Sequence, residues 1–255
     1  MKYTPNTREQ LRIVLNNYQV FGARQTLRDA IAYLTSRGSD TFDERYGVST
    51  ALNSGGVAPL QAGIGEASSL DAGHGYEPSD ERVMRNILRF VEGQLDVRRF
   101  TFIDFGCGKG RVVLMAGDLP FKEVVGVELA PDHCEVARTN IAAYRASAAR
   151  QRLAKATAPA SIVCADATRF ELPKTDLIAY LFNPFRGAVF RTVLERLAAF
   201  QRTEGRQVFL ILSNPAMEDL IRENAAFAKR HEVQVISAGN SWNFWECQGA
   251  SGAAN

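Results

Sequence analysis

The spacing of hydrophobic residues divides the chain into two parts. In the first part, apolar residues recur at helical intervals over 7–36, and again after Ser79 and Asp80, two residue types that cap helices. The apolar positions are Leu11, Val14, Leu15, Leu27, Ile31 and Leu34 in the first segment, and Val83, Ile87, Leu88 and Val91 on the predicted inner face of the second helix. Residues 54–75 between them are rich in glycine, alanine and serine, a composition that predicts a loop without a core of its own. We therefore expect residues 1–78 to form a helical and loop extension that lies as a lid over a substrate site.

In the second part, strand-length apolar runs alternate with helical segments. Strands are predicted at 100–105, 123–129, 161–165, 177–182 and 208–212, and helices at 112–119, 131–149, 190–200 and 216–228. This alternation is typical of a parallel sheet with helices on both faces. Two last strand-like runs, 232–237 and 242–247, flank the sequence Ala-Gly-Asn-Ser and predict an antiparallel hairpin, and the tail at 249–255 is predicted to be disordered.

A glycine-rich turn follows the first predicted strand and opens a helix. Its pattern is Asp104-x-Gly106-x-Gly108-x-Gly110, and glycines in this position let the backbone approach a ligand closely. A dinucleotide-binding turn would require glycine or alanine where this chain has Arg111. The turn therefore suits a ligand whose amino-acid end lies over the glycines, with Asp104 available to its ammonium group. The alternative is a turn that serves only strand-to-helix packing.

Acidic residues end the next two predicted strands. Glu128 follows Gly106 by 22 positions, the separation at which such sheets place a carboxylate against ribose hydroxyls. Asp166 closes the third strand and is predicted to receive an adenine amino group, with Ala167 donating from its backbone. The alternatives are a surface carboxylate for Glu128 and a helix cap for Asp166.

The fourth predicted strand ends in Asn183-Pro184-Phe185. The side-chain oxygen of Asn183 and the carbonyl after it are suited to hold a nitrogen nucleophile by hydrogen bonds. Pro184 supplies a rigid turn without a competing N–H donor, and Phe185 offers a face to a cationic or planar group. The alternative is a strand terminator followed by a core aromatic residue.

Together, these motifs and the terminal hairpin resemble the class I S-adenosylmethionine-dependent methyltransferase superfamily. The resemblance implies a Rossmann-like α/β domain at 79–248, with a seven-stranded, mostly parallel sheet, helices on both faces and a C-terminal antiparallel hairpin. It also implies S-adenosylmethionine as the cofactor. The implied cofactor contacts are Asp104, Gly106, Cys107, Gly108, Gly110, Glu128, Leu129, Asp166, Ala167 and Asn183.

Weaker resemblances concern the methyl acceptor. The Asn-Pro-Phe sequence is similar to the Asn-Pro-Pro-aromatic signature of amino-group methyltransferases, but its single proline counts against nucleic-acid bases and glutamine as acceptors. Tyr76 and the residues after it resemble the entry segment of Dot1-like and mitochondrial carrier-type lysine methyltransferases. Residues 42–48, with the glycine turn and 183–185, look like an uncharacterised bacterial methyltransferase family. We therefore predict methyl transfer to an amine nitrogen of a small molecule or a protein lysine, with Asn183, Pro184, Phe185 and Tyr76 as the catalytic residues.

Composition and charge narrow the partners that we expect. The net charge of +2 argues against a nucleic-acid partner or a membrane surface, and no apolar run is long enough to span a bilayer. The four cysteines, Cys107, Cys134, Cys164 and Cys247, are far apart in the sequence, so we expect neither a metal site nor a disulfide framework. Reduced thiols and the lack of a signal sequence predict a cytoplasmic protein.

Three other functions stay open from the sequence alone. The first is an oxygen-directed methyltransferase on the same fold, although no His or carboxylate set for that chemistry is evident. The second is a non-catalytic module that binds S-adenosylmethionine or its demethylated product. The third is a nicotinamide oxidoreductase, against which Arg111 and the terminal hairpin argue. The sequence identifies neither the methyl acceptor nor the oligomeric state.

Overall fold

The computed structural model describes residues 7–35, 40–51, 77–152, 157–183, 185–214, 216–234 and 241–248. The helices are α1 (Thr7–Thr35), α2 (Phe42–Tyr46), α3 (Glu81–Gln94), α4 (Arg111–Ala116), α5 (Pro131–Ala146), α6 (Ala148–Gln151), α7 (Gly187–Glu204) and α8 (Glu218–Arg222). The strands are β1 (Phe100–Phe105), β2 (Glu123–Glu128), β3 (Ala160–Cys164), β4 (Asp176–Phe182), β5 (Val208–Ser213), β6 (Phe227–Gln234) and β7 (Ser241–Cys247). No helix in these ranges is long and apolar enough to cross a membrane.

The seven strands form one sheet in the order β3-β2-β1-β4-β5-β7-β6. β1 to β5 run parallel to one another, and β7 pairs antiparallel with both β5 and β6. The chain therefore starts in the middle of the sheet, winds outward to one edge through β3, returns through β4, and finishes with a hairpin at the other edge. The predicted Rossmann-like sheet with its antiparallel C-terminal hairpin is confirmed.

Helices cover both faces of the sheet, because alternate side chains of the central strands enter two separate cores. Every residue of β1 is buried. Phe102 packs with Tyr180 and with residues of α3, α4 and α5, whereas Ile103 and Phe105 pack with residues of α7 on the opposite face. The parallel strands thereby end at one buried edge, where the loops that follow them meet.

Helix α3, which precedes the sheet, has the predicted cap and the predicted inner face. The Asp80 side chain accepts hydrogen bonds from the backbone N–H groups of Arg82 and Val83, which satisfies donors at the start of α3. The predicted inner residues of this helix are all buried, namely Val83, Ile87, Leu88 and Val91. The sequence therefore located both the start of this helix and the face that packs on the sheet.

α1 forms as predicted, but its hydrophobic spacing did not identify its buried face. The helix is broken at Gly22, whose φ of 75° is not helical. The ring of Phe21 contacts Phe90 of α3 at a centroid distance of 6.4 Å, and the Asn16 side chain donates to the carbonyl of Glu232 in β6. The predicted inner residues Leu11, Leu15, Leu27 and Ile31 are more than half exposed.

The predicted helix at 216–228 was wrong beyond its first part. Helix α8 ends at Arg222, and residues from Phe227 onward form β6. Phe227 is buried and pairs with Cys247 in the antiparallel hairpin, so pairing with a distant strand overrides the local helical spacing. The predicted tail at 249–255 lies outside the described residues.

Gly126 occupies a position in β2 where a side chain has no room. A Cβ atom there would lie 2.7 Å from the Cys107 Sγ atom and 2.8 Å from side-chain atoms of Ile162 and Val113. We expect Gly126→Ala to lower the free energy of unfolding by about 1–3 kcal/mol, because overpacking displaces these neighbours. Gly93 in α3 is the control, since a Cβ there meets nothing within 4 Å and alanine favours a helix by about 0.5–1 kcal/mol. Denaturant unfolding compares the two variants, and equal stabilities would contradict this account of the packing.

Candidate functional site

The glycine turn after β1 adopts a backbone conformation that explains its sequence. Gly106, Gly108 and Gly110 have φ angles of 77°, 51° and 85°, a region that residues with a side chain rarely adopt. The N–H groups of Gly106 and Cys107 donate to the Val127 carbonyl of β2 at 2.8 and 3.1 Å. The turn is therefore held against the end of β2 and presents backbone rather than side chains.

Glu128 at the end of β2 faces this turn. One oxygen of its carboxylate accepts a hydrogen bond from the Gly108 N–H at 2.8 Å, and the other accepts from the Ala130 N–H at 2.9 Å. The His133 Nδ1 atom lies 3.9 Å from the same carboxylate. The two motifs that the sequence assigns to one ligand are thus in direct contact.

Asp104 is a buried carboxylate without a neutralising partner. It is 3% exposed, and its side chain receives no hydrogen bond and no ion pair from the residues that the structure describes. Burial raises the pKa of Asp104 well above its usual range, and the negative charge of Glu128 raises that pKa further. Such a group is stabilised in its ionised form by a cation from outside the protein.

Leu129 follows Glu128 and leaves an apolar surface open beside it. The residue is 38% exposed, and among the described residues outside α1 it is the one large hydrophobic side chain classed as exposed. Cys107 on the other side of Glu128 is buried. An exposed leucine next to a polar turn is suited to contact a flat, weakly polar ring.

Asp166 caps a turn after β3. Its Oδ1 atom accepts from both the N–H and the hydroxyl of Thr168 at 2.8 Å, and the Ala167 carbonyl accepts from Arg196 at 3.1 Å. The Ala165 N–H donates to the Glu128 carbonyl at 2.9 Å, so this turn begins beside the end of β2. Asp166 therefore caps a turn and not the helix that the alternative expected, since the described residues between β3 and β4 form no helix, and its contact with an adenine ring stays a prediction.

Asn183 ends β4 in a strained conformation. Its φ is 46°, and Asn214 at the end of neighbouring β5, with φ 54°, is the other non-glycine residue with positive φ in the described ranges. In the sequence, each of these asparagines is followed by a proline. Asn214 was not singled out from the sequence, although a second Asn-Pro pair after a predicted strand is a signal that the sequence carries.

The other predicted catalytic residues have different outcomes. The Phe185 side chain is 7% exposed and its ring lies 6.3 Å from that of Phe190, so it belongs to the core under α7. This is the core-aromatic alternative, and it leaves little of the ring available to a substrate. Tyr76 and Pro184 lie outside the described residues, as do residues 52–76 as a whole, so the lid and the roles of these two residues stay predictions.

Arg111 ties the segment 40–51 to the glycine turn. The residue is 3% exposed and begins α4 directly after the turn. Its guanidinium donates to the carboxylates of Asp40 and Asp43 and, at 2.6 Å, to the Thr50 hydroxyl, and it lies 4.8 Å from the centroid of the Phe42 ring. In the sequence, Arg111 served only as evidence against a dinucleotide-binding turn. Its role in holding residues 40–51 against the glycine turn was not predicted.

Lys109 and Asn140 make a second connection between the same elements. The buried Lys109 ammonium donates to the Ala51 carbonyl at 2.9 Å, and burial lowers the pKa of this lysine. The Asn140 side chain donates to the Lys109 carbonyl at 2.9 Å and accepts from the Ser49 N–H at 2.8 Å. Residues 40–51 are therefore packed on the turn from the side of α4 and α5.

Comparison with known proteins agrees with the fold. No family model and no curated protein matches the chain. A ribosomal protein L11 methylase from Lactobacillus delbrueckii subsp. bulgaricus is 14% identical, with 67% of this chain and 81% of that chain covered and a TM-score of 0.47. An RNA methyltransferase from Salinibacter ruber in complex with S-adenosyl-L-homocysteine is 15% identical, with 68% and 94% covered and a TM-score of 0.45. A putative RNA methyltransferase from Pyrococcus horikoshii is 16% identical, with 66% and 85% covered and a TM-score of 0.47.

The strand order, the terminal hairpin and the glycine turn after β1 define the class I S-adenosylmethionine-dependent methyltransferase fold. The fold that the sequence resemblance implies is therefore confirmed. Similarity to Dot1-like and carrier-type lysine methyltransferases stays a prediction. The fold is assigned from the strand order and the turn themselves, because similar structures at these identities and TM-scores carry no argument about this chain.

The argument from charge against a nucleic-acid partner was wrong. Two of the similar structures carry the name RNA methyltransferase, one of them as putative. The physical reason is that a net charge of +2 is a sum over 30 basic and 28 acidic residues. Such a sum does not report how charge is distributed over the surface around a site.

Proposed function

We propose that this chain is an S-adenosylmethionine-dependent methyltransferase. The observation that carries the proposal is the buried, unpaired carboxylate of Asp104 next to the glycine turn. S-adenosylmethionine carries an ammonium group at its amino-acid end, the kind of cation that this carboxylate lacks. The glycine turn leaves room for that end of the molecule because its three glycines carry no side chains.

The other residues around the turn fit the remaining parts of the same cofactor. Glu128 would accept hydrogen bonds from the ribose hydroxyls, since its carboxylate already accepts from two backbone donors at this position. Leu129 would contact the adenine ring with its exposed side chain. Asp166 and Ala167, in the turn beside Glu128, would bind the adenine edge. When bound, the cofactor supplies an electrophilic methyl group.

We further propose that the acceptor atom is an amine nitrogen, held by Asn183. β4 pairs with β1, so its end lies next to the end of the strand that carries Asp104. The amide oxygen of Asn183 would accept a hydrogen bond from the N–H of a neutral amine and so direct the lone pair of the nitrogen. No general base is needed for a nucleophile that arrives unprotonated. The observation that favours a positioning role is the place of Asn183 directly after β4, the strand that pairs with the strand of Asp104.

Asn183→Ala is expected to bind S-adenosylhomocysteine like the wild type but to lose about 100-fold or more in turnover, because one positioned polar group is removed. Turnover is measured as S-adenosylhomocysteine formed from S-adenosylmethionine with four acceptor pools: small amines, small hydroxyl compounds, a lysine-rich protein and RNA. Asn214→Ala is the matched control, since it changes an asparagine of the same backbone conformation on the neighbouring strand.

Three outcomes contradict parts of this proposal. Unchanged turnover in Asn183→Ala shows that the Asn183 side chain does not position the acceptor nitrogen. Product formation with hydroxyl acceptors alone shows an oxygen-directed enzyme. Binding of the cofactor without turnover on any pool shows a non-catalytic binding module.

A further inference from the structure

The structure brings together two cysteines that are far apart in the sequence. Cys134 lies in the first turn of α5, and Cys164 is the last residue of β3. Their thiol groups contact the carbonyls of two consecutive residues, Glu128 and Leu129, and interact with each other there. The sequence spacing had suggested that no cysteines pair, and that expectation took no account of the packing of α5 on β3.

Both thiols also contact the connection between β2 and α5. The Cys134 thiol donates to the carbonyl of Glu128 with a sulfur–oxygen distance of 3.5 Å, and the Cys164 thiol donates to the carbonyl of Leu129 at 3.9 Å. Glu128 and Cys164 are paired in register on neighbouring strands. The thiol pair thus supports the backbone of the two residues that we assign to the ribose and the adenine ring.

The two thiols differ in their access to solvent. Cys164 is exposed, whereas Cys134 is buried, and burial raises the pKa of Cys134. Cys107 and Cys247 are buried as well. A small reagent in solution therefore reaches Cys164 first, and Cys134 is placed to react with what forms there.

We propose that Cys134 and Cys164 form a reversible redox site that small disulfides such as oxidised glutathione close to an internal disulfide. The Cys164 thiolate first attacks one sulfur of the small disulfide, which forms a mixed disulfide and releases one small thiolate that takes up a proton. The deprotonated Cys134 sulfur then attacks the Cys164 sulfur and releases the second small thiolate, which is protonated in turn. The two protein thiols have lost two hydrogens, and the small disulfide has become two thiols.

Closing the disulfide changes the cofactor site, a consequence that rests on the proposed function. A disulfide brings its sulfurs to about 2.05 Å, closer than two hydrogen-bonded thiols, so the first turn of α5 and the end of β3 must move together. The reaction also removes the S–H donors to the carbonyls of Glu128 and Leu129. We expect the affinity for S-adenosylhomocysteine to fall by about ten-fold, since the backbone that positions both contacts is altered.

Peptide mapping tests the covalent step. The full chain is incubated with oxidised glutathione, remaining thiols are alkylated after unfolding, and the peptides are analysed by mass spectrometry. The expected result is one peptide pair linked through Cys134 and Cys164, with Cys107 and Cys247 alkylated. In Cys134→Ser, the reaction is expected to stop at a glutathione adduct on Cys164. A wild-type chain that shows the same adduct and no internal link overturns the proposal.

Titration with S-adenosylhomocysteine tests the consequence and separates it from the proposed function. The reduced chain is expected to bind, the oxidised chain to bind about ten-fold more weakly, and dithiothreitol to restore the affinity. Equal affinities of the reduced and oxidised chains contradict the effect of the disulfide and leave the methyltransferase assignment standing. Absence of binding to the reduced chain contradicts the methyltransferase assignment, while the peptide map still decides whether the disulfide forms.

Discussion

Asp104→Asn is expected to abolish binding of S-adenosylhomocysteine and, at the same time, to raise the thermal stability of the ligand-free chain at neutral pH. The asparagine keeps the size of the side chain but removes the negative charge that would pair with the ammonium group of the ligand. In the ligand-free chain, burial and the second carboxylate of Glu128 oppose ionisation of Asp104, whereas the same group ionises freely in the unfolded chain, so at neutral pH the carboxyl favours unfolding. Replacing the carboxyl of Asp104 by an amide therefore stabilises the ligand-free chain and removes the partner of the ligand's ammonium group.

The pH dependence of this stability difference has a definite sign. The pKa of Asp104 is raised in the folded chain, so the folded state binds its proton more tightly than the unfolded state, in which the pKa is ~3.9. The stability of the wild type accordingly falls as the pH rises from below the unfolded value through the raised folded value. Asp104→Asn lacks this loss, so the two proteins converge near about pH 3, and the variant gains its stability advantage as the pH rises above the unfolded pKa and keeps it above the folded pKa.

Thermal unfolding and calorimetry measure the two effects of Asp104→Asn separately. Each ~1 kcal/mol of added stability raises the melting temperature of a chain of this size by about 2–4 °C. Glu135→Gln is the control, since Glu135 is an exposed carboxylate on α5 and its loss is expected to change neither property. A variant that melts lower than the wild type at neutral pH, or that binds the ligand equally well, contradicts the role assigned to Asp104.

Asp43→Ala is expected to lower the free energy of unfolding by about 3–5 kcal/mol, because it leaves a buried guanidinium without one of its partners. Besides Arg111, the Asp43 carboxylate accepts from the hydroxyl and, at 2.6 Å, the N–H of Thr50, and from the Ala51 N–H at 2.7 Å. The change therefore removes the contacts that hold residues 40–51 together as well as the charge that faces Arg111. Asp40, the other carboxylate at Arg111, is half exposed and compensates only in part.

A matched ion pair on the surface separates this effect from a general sensitivity to the loss of charge. Arg191 and Glu223 lie 2.7 Å apart with both side chains at least half exposed. Glu223→Ala is expected to cost at most about 1 kcal/mol, since exposed pairs contribute little. Urea unfolding of both variants gives the comparison. Similar losses in the two variants would show that Asp43 does not hold a buried charge in place.

The parts of the fold that follow from local pattern were predicted well. β1 was predicted at 100–105 and has these bounds, because a short β-branched and aromatic run ends in glycines that only a turn accommodates. The cap at Asp80 and the inner face of α3 follow from the same kind of local rule. β6 was misjudged because the residues after Arg222 take their conformation from β7, which follows them in the chain.

The candidate site likewise has features that the local sequence pattern predicts and features that it does not. Glu128 and the glycine turn were predicted to act together, since the ends of neighbouring parallel strands meet at one edge. The pairing of Arg111 with Asp43 joins residues 68 positions apart, and no local spacing indicates it. The Cys134–Cys164 contact likewise depends on how α5 packs on β3. Such long-range contacts become visible only when the fold is known.

Isothermal titration of the folded wild-type chain with S-adenosylhomocysteine tests the central claim most directly. We predict saturable heat with one molecule bound per chain, and no heat in a parallel titration with a reduced nicotinamide dinucleotide, which the turn ending in Arg111 does not suit. Absence of heat with both S-adenosylmethionine and S-adenosylhomocysteine, from a chain whose cooperative unfolding shows that it is folded, would contradict the account.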